Sequence, residues 1–77
     1  MDNFDTLKQL LTCYAKHEMY KRYQLLDGTI IDLSNDMIGV SRDRVKWSYY
    51  PRKNCLLNYF TVYAEIEKHV LIPIFTI

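Results

Sequence analysis

Seventy-seven residues suffice for one small domain and are too few for a second lobe that would hold a substrate, so 1–77 reads as a single domain with one core. A chain this short must commit most of its 49% apolar residues to offsetting chain entropy, and its net charge of +1 excludes a strongly basic or acidic character overall. Two cysteines cannot build the disulfide framework of a small secreted domain, and no apolar run approaches the ~20 residues of a membrane span.

The acidic opening, Asp2-Asn3-Phe4-Asp5, is unlike a basic leader, so no export signal is expected and the location reads as cytoplasmic, without membrane contact. From Asn3 to Tyr20 a spacing of 100° per residue places Phe4, Leu7, Leu10, Leu11, Tyr14 and Ala15 on one arc, which predicts an amphipathic helix. Asp2 or Asn3 supplies the N-cap oxygen. Arg22 to Leu26 is strand-like and ends at Asp27-Gly28, a pair that signals a type I′ hairpin.

The next segment can be read in two ways. As a return strand from Thr29 to Leu33, the segment puts Ile30, Asp32 and Ser34 on one face and Ile31, Leu33 and Asn35 on the other, so neither face separates cleanly. As a helix from Gly28 to Ile38 capped by Asp27, they put Ile30, Ile31, Leu33, Met37 and Ile38 on one side and Thr29, Asp32, Asn35 and Asp36 on the other, so helix is preferred. Gly39 then breaks the pattern, Ser41 caps a second short helix running to about Tyr50, and Pro51 stops it. Beyond the basic Arg52-Lys53-Asn54, Phe60 to Ile66 alternates with period two and predicts a strand. Val70 to Ile77 predicts another, which Pro73 confines to a sheet edge or a bulge.

At Gly39-Val40-Ser41-Arg42-Asp43-Arg44-Val45 the chain resembles the centre of a helix-turn-helix, in which a glycine turn, a capping serine and a buried aliphatic recur. The resemblance covers residues 28–50, and the order of elements is similar to the winged form. The fold it implies is α+β: a small three-helix winged helix-turn-helix-like domain with a C-terminal antiparallel β-hairpin. Asn35 departs from the family, which usually has a small residue there. Charge runs the same way, since residues 42–53 carry a net +4 and the rest of the chain −3.

The expected function is therefore a non-enzymatic DNA-binding regulator whose partner is double-stranded DNA. Ser41, Arg42, Arg44, Lys46 and Trp47 would sit on the recognition helix, with Arg52 and Lys53 on the phosphate backbone. The alternative is a small phage or mobile-element inhibitor that binds a host defence or nucleic-acid-processing protein directly. Seven tyrosines and seven isoleucines against two alanines and two glycines suit such an AT-rich source. This reading rests on Val70 to Ile77, apolar on both faces, and assigns partner contact to Tyr59, Tyr63 and Phe75, with a homodimer through the C-terminal strands as a further possibility. No cofactor is expected. Cys13, His17, Cys55 and His69 are too scattered for a zinc set, and a Cys13/His17 nucleophile pair would lack an orienting group.

Overall fold

The computed structural model describes residues 3–34 and 36–77. Asp2 as a cap and Asn35 as the departing helix-turn-helix position lie outside them. The described residues form one α-helix, α1 (Asn3–Tyr14), and eight strands: β1 (Lys16–His17), β2 (Arg22–Gln24), β3 (Ile30–Asp32), β4 (Met37–Ser41), β5 (Ser48–Pro51), β6 (Cys55–Asn58), β7 (Thr61–Glu67) and β8 (Val70–Thr76). A 3₁₀ turn, Arg52–Asn54, joins β5 to β6. Strands β1 to β5 make a five-stranded antiparallel meander, and β6 to β8 a separate three-stranded one. The three-helix winged helix-turn-helix expectation is thereby overturned: the described residues are mostly β, and those within 28–50 are paired strands and their connections.

The first helix forms as its periodicity dictates, with Leu7 and Leu11 buried, but it ends at Tyr14. The amide of Ala15 still donates to the Leu11 carbonyl at 2.9 Å, after which Lys16 and His17 leave to pair with Gln24 and Tyr23. At Asp27-Gly28 the chain does turn back, so the hairpin reading of this pair, set aside in favour of a helix, is what the structure holds. Its geometry is a longer turn than type I′. Gly28 N–H donates to the Leu25 carbonyl at 3.0 Å and Leu25 N–H to that of Thr29 at 2.9 Å, with Gly28 at φ 92, the pattern of a turn closed by a glycine bulge. Asp27 Oδ1 accepts from Thr29 N–H at 2.9 Å, so the residue expected to cap a helix holds a hairpin turn instead.

One core lies between α1 and the facing sides of the two sheets. Tyr23, Ile31, Ile38 and Val40 face Val62, Ala64, Ile74 and Phe75 across it, with Leu7 and Leu11 closing one side. Pro73 lies where expected, on edge strand β8 beside the bulge at Ile74, where the register shifts between Val62/Phe75 and Tyr63/Pro73.

Candidate functional site

Gly39 is not a turn. It occupies the middle of β4, opposite Asp32 on β3 and Tyr49 on β5. Because β2 places Arg22 opposite Asp32, one register row runs Arg22, Asp32, Gly39, Tyr49 across the side of the five-stranded sheet that faces away from the core. A side chain at Gly39 would lie 3.1 Å from the Tyr49 ring and 3.3 Å from that of Trp47, so its absence lets both aromatic rings settle against the sheet. Trp47 and Tyr49 stack with centroids 6.3 Å apart and planes at 22°, and the Arg22 guanidinium lies 5.1 Å from the Trp47 ring. Arg22, Trp47 and Tyr49 thus form a shelf, with Tyr49 54% exposed.

The loop between β4 and β5 crosses this same side. Ser41, buried at the end of β4, accepts from Arg44 N–H at 2.9 Å, and Asp43 Oδ1 accepts from the amides of Val45 and Lys46 at 2.9 Å. These are the hydrogen bonds of a helix cap, made here in a loop whose Arg44 stands at φ 65, a conformation no right-handed helix admits. Arg44 reaches Glu18, just beyond β1, in a two-pronged ion pair. Under the strap Ile30 is 1% exposed although it faces away from the core.

Charge on the shelf side is matched. Burial acts to raise the pKa of Asp32, but the hydroxyl and amide of Ser34 and the Arg22 side chain, paired at 3.0 Å, outweigh it and hold the carboxyl below its ordinary value. The hydrogen bond from Arg44 likewise lowers Glu18.

The seven residues expected at a DNA interface do not share a face. Arg42, Arg44, Lys46 and Trp47 lie in the loop at one end of the β4–β5 hairpin. Arg52 and Lys53 lie past its other end, with the Arg52 guanidinium 3.5 Å from the ring of Phe4, and the four residues of β5 put about 13 Å between the groups. The recognition helix that would have united them is not formed, because Ser48 to Pro51 pairs with β4.

The expected partner-binding trio is also divided. Phe75 is 6% exposed in the core, opposite Val62, and is corrected from surface to core. Tyr63 points to the other side of β7, half-buried between Leu56 and Pro73 in the register row. Tyr59 is 88% exposed in the β6–β7 turn at φ 57, next to Phe60, whose ring meets Tyr14 edge-on at 5.6 Å. Among the described residues no three His, Cys, Asp or Glu side chains converge on a point that could hold a metal. Burial raises the pKa of Cys55, and its thiol donates to the Pro51 carbonyl at 3.2 Å. No described helix is long and apolar enough to cross a membrane.

Arg22, Asp32 and Tyr49 help to carry the site and were not expected there from sequence, and Gly39 was read as a helix-turn-helix turn and not as a notch in a strand. One signal was present: a glycine inside the apolar run Met37-Ile38-Gly39-Val40 marks close backbone approach if that run is a strand. Comparison of the chain with family models, curated proteins and solved structures gives no match.

Proposed function

We propose that this chain is a non-enzymatic module that binds another protein through the Arg22–Trp47–Tyr49 shelf. The observation that carries the reading is the stacked Trp47–Tyr49 pair, laid on a sheet notched by Gly39 and open to solvent. Tryptophan, tyrosine and arginine are the residue types that dominate binding energy at protein interfaces. Here the sheet and the strap hold them in place before any partner arrives, so little side-chain freedom remains to be lost on binding.

Matched charge favours a protein over duplex DNA. A DNA-binding surface gains affinity from cations free to displace counterions, whereas on the shelf Arg22 and Arg44 are each paired with a carboxylate, Arg42 and Lys46 border a groove on the other side of the hairpin, and Arg52 and Lys53 lie at its far end. The reading extends to inhibition of a host protein, because a rigid patch that covers a target's working surface blocks it without chemistry.

The test is affinity capture with the full chain from lysate of the source cell, with and without nuclease, followed by direct titration of the captured protein. The expected result is a protein retained after nuclease whose affinity falls about thirtyfold with Tyr49→Ala, the effect of losing a hot-spot side chain worth ~2 kcal/mol. Recovery of nucleic acid alone, or a complex indifferent to Tyr49→Ala and Trp47→Ala in folded variants, would refute the proposal.

A further inference from the structure

On the opposite side of the β4–β5 hairpin the same alternation that turns Tyr49 outward turns Ser48 and Tyr50 towards the three-stranded sheet, as their pairing with Val40 and Ile38 requires. There they line an open groove of about 220 Å³, with Arg42 and Lys46 at its rim and Val40 and Ile74 on its floor and wall. The two cations differ from Arg22 and Arg44 in forming no ion pair among the described residues. Arg42 spends one guanidinium nitrogen on the carbonyl of bulge residue Ile74, at 3.4 Å, which ties the rim to the second sheet. Asp43 also borders the groove, but its Oδ1 is engaged by the amides of Val45 and Lys46 and, at 3.4 Å, by the Ser41 hydroxyl. Asp27 approaches from the β2–β3 turn; its carboxyl, lowered chiefly by Thr29, also feels the Arg42 charge.

From this surplus of donors we infer that the groove is a binding site for a phosphate group, held by Arg42 and Lys46 and oriented by the hydroxyls of Ser48 and Tyr50. Four donor side chains bordering one groove, a guanidinium, an ammonium and two hydroxyls, match the several acceptor oxygens of phosphate. The loop is already fixed by Ser41 and Asp43, so the cations start from an ordered backbone. The groove opens on the other side of the β4–β5 hairpin from the shelf side chains and shares with them the loop that precedes β5.

Inorganic phosphate titrated into ¹⁵N-labelled full chain at constant ionic strength tests the inference. The expected result is saturable amide shifts confined to residues 42–50 and Ile74, leaving Arg22 unmoved. Lys46→Gln, an exposed change that leaves the fold intact, weakens binding about tenfold. Arg42→Gln does the same, and Asp27→Asn, which keeps the turn acceptor but removes a competing charge, strengthens it. Tighter binding of adenosine monophosphate than of inorganic phosphate assigns the group to an organic ligand, and equal binding assigns it to the free ion. Shifts that never saturate, that chloride reproduces, or that survive both Gln variants overturn the site and show only diffuse attraction of anions to surface charge.

Discussion

The outer sides of the two sheets both present apolar side chains to solvent, yet only one is organised. On the five-stranded sheet, Gly39 removes a side chain so that Trp47 and Tyr49 can lie down, Arg22 is fixed by Asp32, and the loop from Arg42 to Trp47 crosses the surface tied to Glu18. On the three-stranded sheet, Leu56, Tyr63, Leu71 and Pro73 share the outer side of a register broken at Ile74, without a glycine notch or a stacked aromatic pair among the described residues. Exposure alone therefore does not distinguish a binding surface. What distinguishes it is that the cost of ordering the exposed groups has been met in advance by packing and hydrogen bonds within the fold.

The two sides share one core, and the largest effect is expected there. Ile31 is fully buried between the sheets, and Ile31→Ala should cost about 2–5 kcal/mol in urea unfolding, for lost transfer energy plus the cavity left behind. Ile30→Ala, one residue away but under the strap, should cost less, because the loop can settle into the space. Equal losses would show that the strap packs as tightly as the core. The next effect belongs to the notch. Gly39→Val drives a branched side chain into the Tyr49 and Trp47 rings, with an expected cost of about 1–3 kcal/mol and a change in Trp47 fluorescence. Unchanged emission would mean that the rings do not rest on Gly39.

That pair of neighbouring isoleucines also explains how much of the fold was legible in the sequence. The first helix was, because α1 buries one stripe and wets the other. The segment 28–38 was not, because Ile31 faces the core while Ile30 faces the strap, so a strand buried on both sides shows no alternation and a helical period fits it by default. Ser41, Asp43 and Gly39 misled for a related reason. A hydroxyl or carboxylate that accepts from amides two or three residues ahead looks the same in sequence whether a helix follows or a loop, and a glycine needed for absence of a side chain is indistinguishable from one needed for positive φ. Phe75 and Tyr63 were placed together because only the bulge at Ile74, invisible in sequence, fixes which of the β8 residues turn inward. At the candidate site Trp47 was found for the wrong structural reason, and its partners Arg22 and Asp32 lie too far away in sequence to be joined without the strand register.

A smaller effect should appear with pH. Asp32 is held below its ordinary value of 3.8 in the folded chain, so the stability it contributes is fully present above that value and is lost as pH falls through the lower folded value. The unfolding midpoint should therefore drop on acidification below about pH 4, and Asp32→Asn should remove part of that dependence at a cost of about 1 kcal/mol at neutral pH. Of the other carboxylates shifted in the same direction, Asp27 lies in the β2–β3 turn while Glu18 and Asp43 hold the loop that carries Trp47, so the diagnostic is a difference: the Trp47 signal should change over the acid range in the wild type and change less in Asp32→Asn.

The smallest effect is expected on the outer side of the three-stranded sheet, and it tests whether that surface does anything. Leu71 is 44% exposed and opposite Glu65, so Leu71→Ser removes little buried area and should alter stability by no more than about 0.5 kcal/mol. The same variant should leave the sedimentation behaviour of the chain unchanged. Strand addition by a second copy at the C-terminal strand would use the free edge of β8, where Pro73 offers no amide donor and the bulge at Ile74 breaks the repeat that a partner strand must follow. Both devices are common guards against edge pairing, and their position on the outermost strand argues that this sheet ends here. A shift from dimer to monomer in Leu71→Ser would show that the side of the sheet, and not its edge, holds a second copy, and the contrast between an organised and an idle surface would then fall.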